Sequence, residues 1–154
     1  MDFSTEQQEQ FIRLAMEQVE ESIKVGGNPF GAVLVDAAGT ILVATRNTVT
    51  PKTDILQHAE LNLIREFHEK TGLQKLTDHA VFINASSCSM CASALVQAGV
   101  RDFYYGAPFE AHTNPAASYR QLAEFCHEPL AIHDGILVDE CVSQIARGRE
   151  QTQK

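Results

Sequence analysis

The sequence has no tryptophan and only 4 cysteines in 154 residues, and its basic side chains are outnumbered by acidic ones. Two of the cysteines, Cys88 and Cys91, stand at Cys-x-x-Cys spacing. In a reducing compartment that spacing reads as metal or redox chemistry more than as a disulfide framework. Cys126 and Cys141 are expected to be buried thiols, since free cysteine is among the most buried residue types. No apolar run approaches the roughly 20 residues that a membrane span requires. The first residues, Met1-Asp2-Phe3-Ser4-Thr5-Glu6, lack the basic-then-apolar pattern of a signal peptide. A cytoplasmic protein with no membrane partner is expected. The shortage of positive charge says most about partners. Lys and Arg number 12 against 20 Asp and Glu, a net charge of −8. A protein that grips a phosphate backbone needs a basic stripe, because neutralising phosphates supplies most of its affinity. The basic residues here are scattered, with only Arg147 and Arg149 close together near the end. No nucleic-acid partner is expected; a small neutral substrate suits the chain better.

What is present is ordinary for a globular protein: 44% hydrophobic and 21% charged residues, in a length that suits one domain spanning 1–154. There is no repeat, low-complexity tract or linker. Residues 4–25 read as an amphipathic helix capped by Ser4, with Ile12, Ala15, Met16, Val19 and Ile23 recurring at helical steps. Gly26-Gly27 ends it and Asn28-Pro29 makes a turn. Strands are expected at 32–35 and 41–45, joined through Asp36-Ala37-Ala38-Gly39, with a polar loop at 46–57. A helix from His58 to before Gly72, a strand at 81–83, a helix at 88–97 and a strand at 103–105 follow. Of Tyr104 and Tyr105, alternating along that strand, one is expected in the core. The remainder reads as a loop at 106–115, a helix at 116–125, a strand at 130–133 and a closing helix near 138–149. Helices alternating with strands imply an α/β sheet covered on both faces.

Against this background His58-Ala59-Glu60 and Cys88-Ser89-Met90-Cys91 stand out. Two thiolates and an imidazole make a zinc site with one tetrahedral position open, which distinguishes catalytic from structural zinc. A structural site wants a fourth Cys or His, and His68, His79 and Cys126 are not at convincing spacing. Cys88 and Cys91, three residues apart, share a helix face. In a first helical turn the free N–H groups and the helix dipole favour thiolate over thiol. Ser87 then falls at the N-cap. His58 and Glu60 pose a geometric question, since residues two apart on a helix point about 200° from each other. They converge on one site only at an opening turn, for which Asp54 and Thr50-Pro51-Lys52-Thr53 are suitable lead-in. Two helix N-termini then face each other across one zinc ion per chain. Glu60 stays off the metal and moves protons.

His-x-Glu followed by Pro-Cys-x-x-Cys is a known signature of zinc nucleobase deaminases. With it, the chain resembles the cytidine deaminase superfamily, and most of all its guanine deaminase and tRNA adenosine deaminase branch. The resemblance runs from about Asn28 to Gly106, with a similar leading helix before it. Asn28-Pro29-Phe30-Gly31-Ala32-Val33 is similar to the family's first strand and the turn into it. Asn47 falls where these families place a substrate-binding asparagine, and Asp54 matches their aspartate before the histidine. The resemblance implies a three-layer α/β/α fold with a five-stranded mixed sheet, usually dimeric, so a homodimer is expected. It also implies that the backbone of Ala59 contacts the base. Asn28 and Phe30 are further candidates for substrate contact, although Asn28 also suits a turn and Phe30 a core. His112, Asn114, His127 and His133 read as loop or partly buried polar residues, and a residue of 106–118 can reach the substrate from a lid. The chain departs from the family where relatives read Glu-Pro-Cys-x-Met-Cys: Ser86 and Ser87 stand for Glu-Pro, and Asn84 stands where many have threonine.

The expected reaction replaces an exocyclic amine on a small N-heterocycle with oxygen and releases ammonia. Glu60 carries protons to the ring nitrogen and the leaving amine, while Asn47 and Ala59 orient the ring. Guanine is the first expectation, with another base or a pterin close behind. Two rivals stand: a tRNA-editing adenosine deaminase, which needs a cationic groove, and a zinc-stabilised module without catalysis. A purely structural zinc site gives no reason to keep Glu60.

Overall fold

The computed structural model describes residues 1–152. Helix α1 (Thr5–Lys24) opens at Ser4, whose hydroxyl accepts from the Gln7 N–H while the Gln7 side chain accepts from the Ser4 N–H. That reciprocal pair meets two of the helix's orphan donors. Strand β1 (Gly31–Asp36) turns into β2 (Ile41–Arg46) through a loop in which Asp36 Oδ1 accepts from the N–H groups of Ala38 and Thr40. The expected polar loop 46–57 contains a short helix, α2 (Val49–Lys52). Then come α3 (Ala59–Thr71), β3 (His79–Ala85), α4 (Ser89–Gln97) and β4 (Asp102–Ala107). The chain closes with α5 (Tyr119–Ala123), β5 (Ala131–His133) and α6 (Val138–Thr152).

The strands form one five-stranded mixed sheet in the order β2-β1-β3-β4-β5. β1 is antiparallel to β2 and β3, whereas β3, β4 and β5 run parallel. The parallel half has β-helix-β crossovers, which carry helices onto the sheet faces. Successive residues therefore face opposite layers. Ala32, Leu34, Val81, Ile83, Phe103 and Tyr105 pack with Leu63, Phe67 and Leu95 under α3, α4 and α5. Val33, Val35, Phe82 and Tyr104 pack with Phe11, Ile12, Ala15 and Ile145 of α1 and α6. The architecture is the expected three-layer α/β/α arrangement.

Several local readings change. Tyr104 and Tyr105 are both fully buried, one in each layer, because helices cover both faces of β4. The helix expected over 116–125 is confined to Tyr119–Ala123, since Ser118 caps it and Gln121 completes the capping box. Cys141 is buried as expected, but Cys126 is only half-buried. Among the described residues no helix is long and apolar enough to cross a membrane.

Two close contacts set the site's surroundings. Asn84, fully buried at the end of β3, accepts from the Gly31 N–H (2.9 Å) and donates to the Pro29 carbonyl (3.0 Å). It thereby fixes the turn that leads into β1. Gly148 lets α6 lie against that turn, because a Cβ there would come within 2.6 Å of the Pro29 Cβ. The next residue, Arg149, is thus delivered beside Phe30, its guanidinium carbon 5.9 Å from the ring centroid.

Candidate active site

Two helices begin at the same place, and each begins on a metal-ligand residue. His58 is the N-cap of α3 and Cys88 the N-cap of α4, both with extended backbone and neither capping with its side chain. Their side chains are thus free to point away from the helices and toward each other. Cys91 follows in the first turn of α4, and Glu60 in the first turn of α3. Ser87, expected at the N-cap, lies one position before it: Cys88 takes the N-cap and Ser87 turns its hydroxyl elsewhere. The convergence of His58 and Glu60 at an opening turn is realised, with the Ala59 carbonyl pinned to β2 by the Thr45 hydroxyl at 2.7 Å.

His58 Nδ1 lies 3.7 Å from Cys88 Sγ and 3.4 Å from Cys91 Sγ. The three donor atoms all fall within 4.8 Å of one another. Zinc bonds of about 2.3 Å to sulfur and 2.0–2.1 Å to nitrogen at tetrahedral angles put N and S about 3.6 Å apart. The donor set fits the ion in kind and in spacing. The thiols are already polarised. Cys88 is pulled down to about 4, first by a hydrogen bond from Cys91 and then by His58. Cys91 is pushed up by that same bond and by burial. A cation held by both sulfurs would favour their thiolate forms. His58 is raised, chiefly through its contact with Cys88.

Glu60 is only 6% exposed, and its carboxyl is pushed above the ordinary range, first by burial and then by the nearby Cys88. Its Oε1 accepts from the Ser87 hydroxyl at 2.9 Å. A carboxyl raised by burial suits proton transfer near neutral pH better than an ordinary exposed one.

These residues open onto a cavity of about 290 Å³. The structure brings Asn28, Phe30, Asn47, His58, Glu60 and Cys88 to its wall, and Cys91 behind it with a fully buried side chain. Asn47 does two things. Its Oδ1 accepts from the Val49 N–H at 3.0 Å, so the side chain is partly turned back to the loop, yet it also lines the cavity. The amide –NH2 is what remains for a ligand. The carbonyl of Asn28 serves the turn, accepting from Ser22 Oγ and the Phe30 N–H. Ala59 does not line the cavity, and its carbonyl is taken by Thr45, so only its N–H remains for a base.

The wall also holds Ser86, Pro108, Phe109, Glu110 and Thr113, the last four from the 106–118 segment expected to reach the substrate, and Arg149, which carries little sequence signal. Arg149 of α6 donates both terminal nitrogens to the Glu110 carboxylate, each at 2.8 Å. That ion pair holds Glu110 below the usual carboxylate range. Its members lie 39 positions apart, and no local pattern announces such a pair.

Comparison with known proteins agrees with this geometry. Residues 5–107 match the family described as the cytidine and deoxycytidylate deaminase zinc-binding region. A tRNA-specific adenosine deaminase of Rickettsia felis is 29% identical over 114 residues, covering 73% of this chain and 79% of the relative. A solved tRNA deaminase, studied for A-to-I editing at the wobble position of transfer RNA, superposes with a TM-score of 0.79 at 26% identity. That match covers 88% of this chain and 98% of the other. The guanine deaminase of Bacillus subtilis superposes with a TM-score of 0.62 at 27% identity, over 92% of this chain and 93% of that one. With His58, Cys88 and Cys91 forming its candidate zinc site, the chain belongs to the cytidine and deoxycytidylate deaminase zinc-binding family.

Proposed function

We propose that this zinc-type deaminase acts on a free aminated heterocycle, with guanine the first choice, and releases ammonia. The observation that carries this reading is the rim of the cavity. Glu110, from the loop after β4, and Arg149, from α6, close one side of the mouth with a bidentate ion pair from the same chain. Phe30 and Phe109 add aromatic surface to the wall, suited to a flat ring. A volume of about 290 Å³ suits a single base.

In this reading His58, Cys88 and Cys91 would hold zinc, which when bound would supply Lewis-acid activation of water. Glu60 accepts a proton, passes it to the ring nitrogen and then assists departure of the amine. Asn47 offers its amide N–H groups to the ring edge. A homodimer accompanies this proposal, since members of the resembling branch are usually dimeric.

A second reading, tRNA adenosine deamination, is favoured by the names of the relatives and by one feature of the surface. Arg46, Lys52, Arg65 and Lys70 line a common hollow between β2 and α3. Glu66 and Glu69 line it as well, and Lys70 is paired with Glu66. Arg120 is bound to Asp134 and does not line this hollow. With 20 acidic against 12 basic residues, the mean field opposes a polyanion.

The test is ammonia release from a panel of free aminated purines, pyrimidines and pterins, run beside inosine formation in tRNA. Turnover of a free base without inosine supports the proposal. Inosine formation, with tRNA binding that weakens steeply as salt rises, would replace it with the editing reading.

A further inference from the structure

Behind the cavity, Ser87 makes a contact that the proline usual at this position cannot make. The chain leaves β3 at Ala85, and the Ser86 N–H is fixed to the Ala107 carbonyl at 2.9 Å before Cys88 caps α4. Ser87 is held on both sides by this path and is 1% exposed. Its hydroxyl donates to Glu60 Oε1 at 2.9 Å.

A serine hydroxyl carries one proton and two lone pairs. Its proton goes to the carboxylate oxygen, 2.9 Å away inside a site that excludes water. We propose that Ser87 is a positioning residue, fixing one oxygen of Glu60 so that the other is presented to the cavity. The inference rests on the deaminase reading above, and it assigns Ser87 no contact with substrate or metal.

Ser87→Ala and Ser87→Thr in the zinc-loaded protein test it. Ser87→Ala should lower kcat on the order of tenfold, as expected when a hydrogen bond to a charged group is lost. KM should stay within twofold of the parent and zinc content should not change. Ser87→Thr, which keeps the hydroxyl, should recover most of the loss. A second readout does not depend on turnover. The carboxylate infrared band of Glu60, identified by its absence from Glu60→Gln, should shift in Ser87→Ala and hold its place in Ser87→Thr. A kcat within twofold of the parent in Ser87→Ala, a loss that follows zinc content, or an unshifted band would overturn the proposal. Equal defects in both variants would assign Ser87 to packing and likewise overturn it. Should the parent protein turn over no aminated heterocycle, the deaminase reading fails by itself, and the infrared band still decides the Ser87–Glu60 contact.

Discussion

The metal-facing wall and the rim of the same cavity are built by opposite means. The wall is made where two helices start beside each other, with Cys91 and Glu60 buried and the ligand atoms within 4.8 Å of one another. The rim is an ion pair between half-exposed side chains, 32% exposed for Glu110 and 39% for Arg149, brought from distant parts of the chain. Burial makes the wall's polar groups strongly dependent on one another, because an unpartnered buried charge is costly. Exposure makes the rim tolerant, since exposed ion pairs are worth little and salt screens them. Substitutions in the wall should therefore change chemistry by orders of magnitude, and substitutions in the rim should tune access to it.

The largest contrast is expected from the ligands. Cys88→Ala should lose zinc and, with it, all measurable turnover, because two donors cannot hold the ion as three do. Metal analysis showing full zinc in this variant would contradict the ligand assignment. A smaller effect is expected from Asn47→Ala. It should leave zinc content unchanged and lower kcat/KM by very roughly ten- to a hundredfold, the scale of about 1–3 kcal/mol for a missing partner. The Oδ1 contact to Val49 allows a purely structural role, in which the variant would lose thermal stability and keep its kinetic constants. The smallest effect belongs to the rim. Arg149→Ala should raise KM no more than about fivefold with kcat nearly unchanged, the range for a part-exposed ion pair. A fall in kcat of a hundredfold would place Arg149 in the chemistry and erase the distinction between wall and rim.

The rim also has its own pH dependence. Arg149 holds the Glu110 carboxyl below its ordinary value, so the pair's contribution is present above the unfolded carboxylate pKa. It fades as pH falls through the lower folded value. Acid melts of the parent protein and Arg149→Ala should thus converge at low pH and separate modestly near neutrality.

The same contrast explains what was legible in the sequence. Metal chemistry restricts ligands to a few residue types at short spacings, so His58, Cys88 and Cys91 could be read directly, and helix geometry alone required His58 and Glu60 to meet at a first turn. The alternation of buried residues revealed the sheet and its two covered faces. Ser87 was misplaced by one position because serine is a good cap, and nothing local told that Cys88 would take the cap instead. The helix expected at 116–125 begins only at Tyr119, because the Ser118–Gln121 capping box starts it there. Arg149 and Glu110 were illegible for a different reason: a long-range ion pair leaves no periodic trace. Asn84 was noticed only as a departure, though its side chain fixes the turn on which the cavity rests.

The account stands most directly on Glu60→Gln, assayed for zinc and for turnover in the same preparation. Glutamine keeps the shape and cannot take up the proton, and general acid–base groups are typically worth about 10²–10⁴ in rate. The expected result is close to one zinc per chain with turnover reduced by about 10⁴ or more, since one carboxylate serves both transfers. Turnover within a few-fold of the parent protein, with zinc retained, would contradict it.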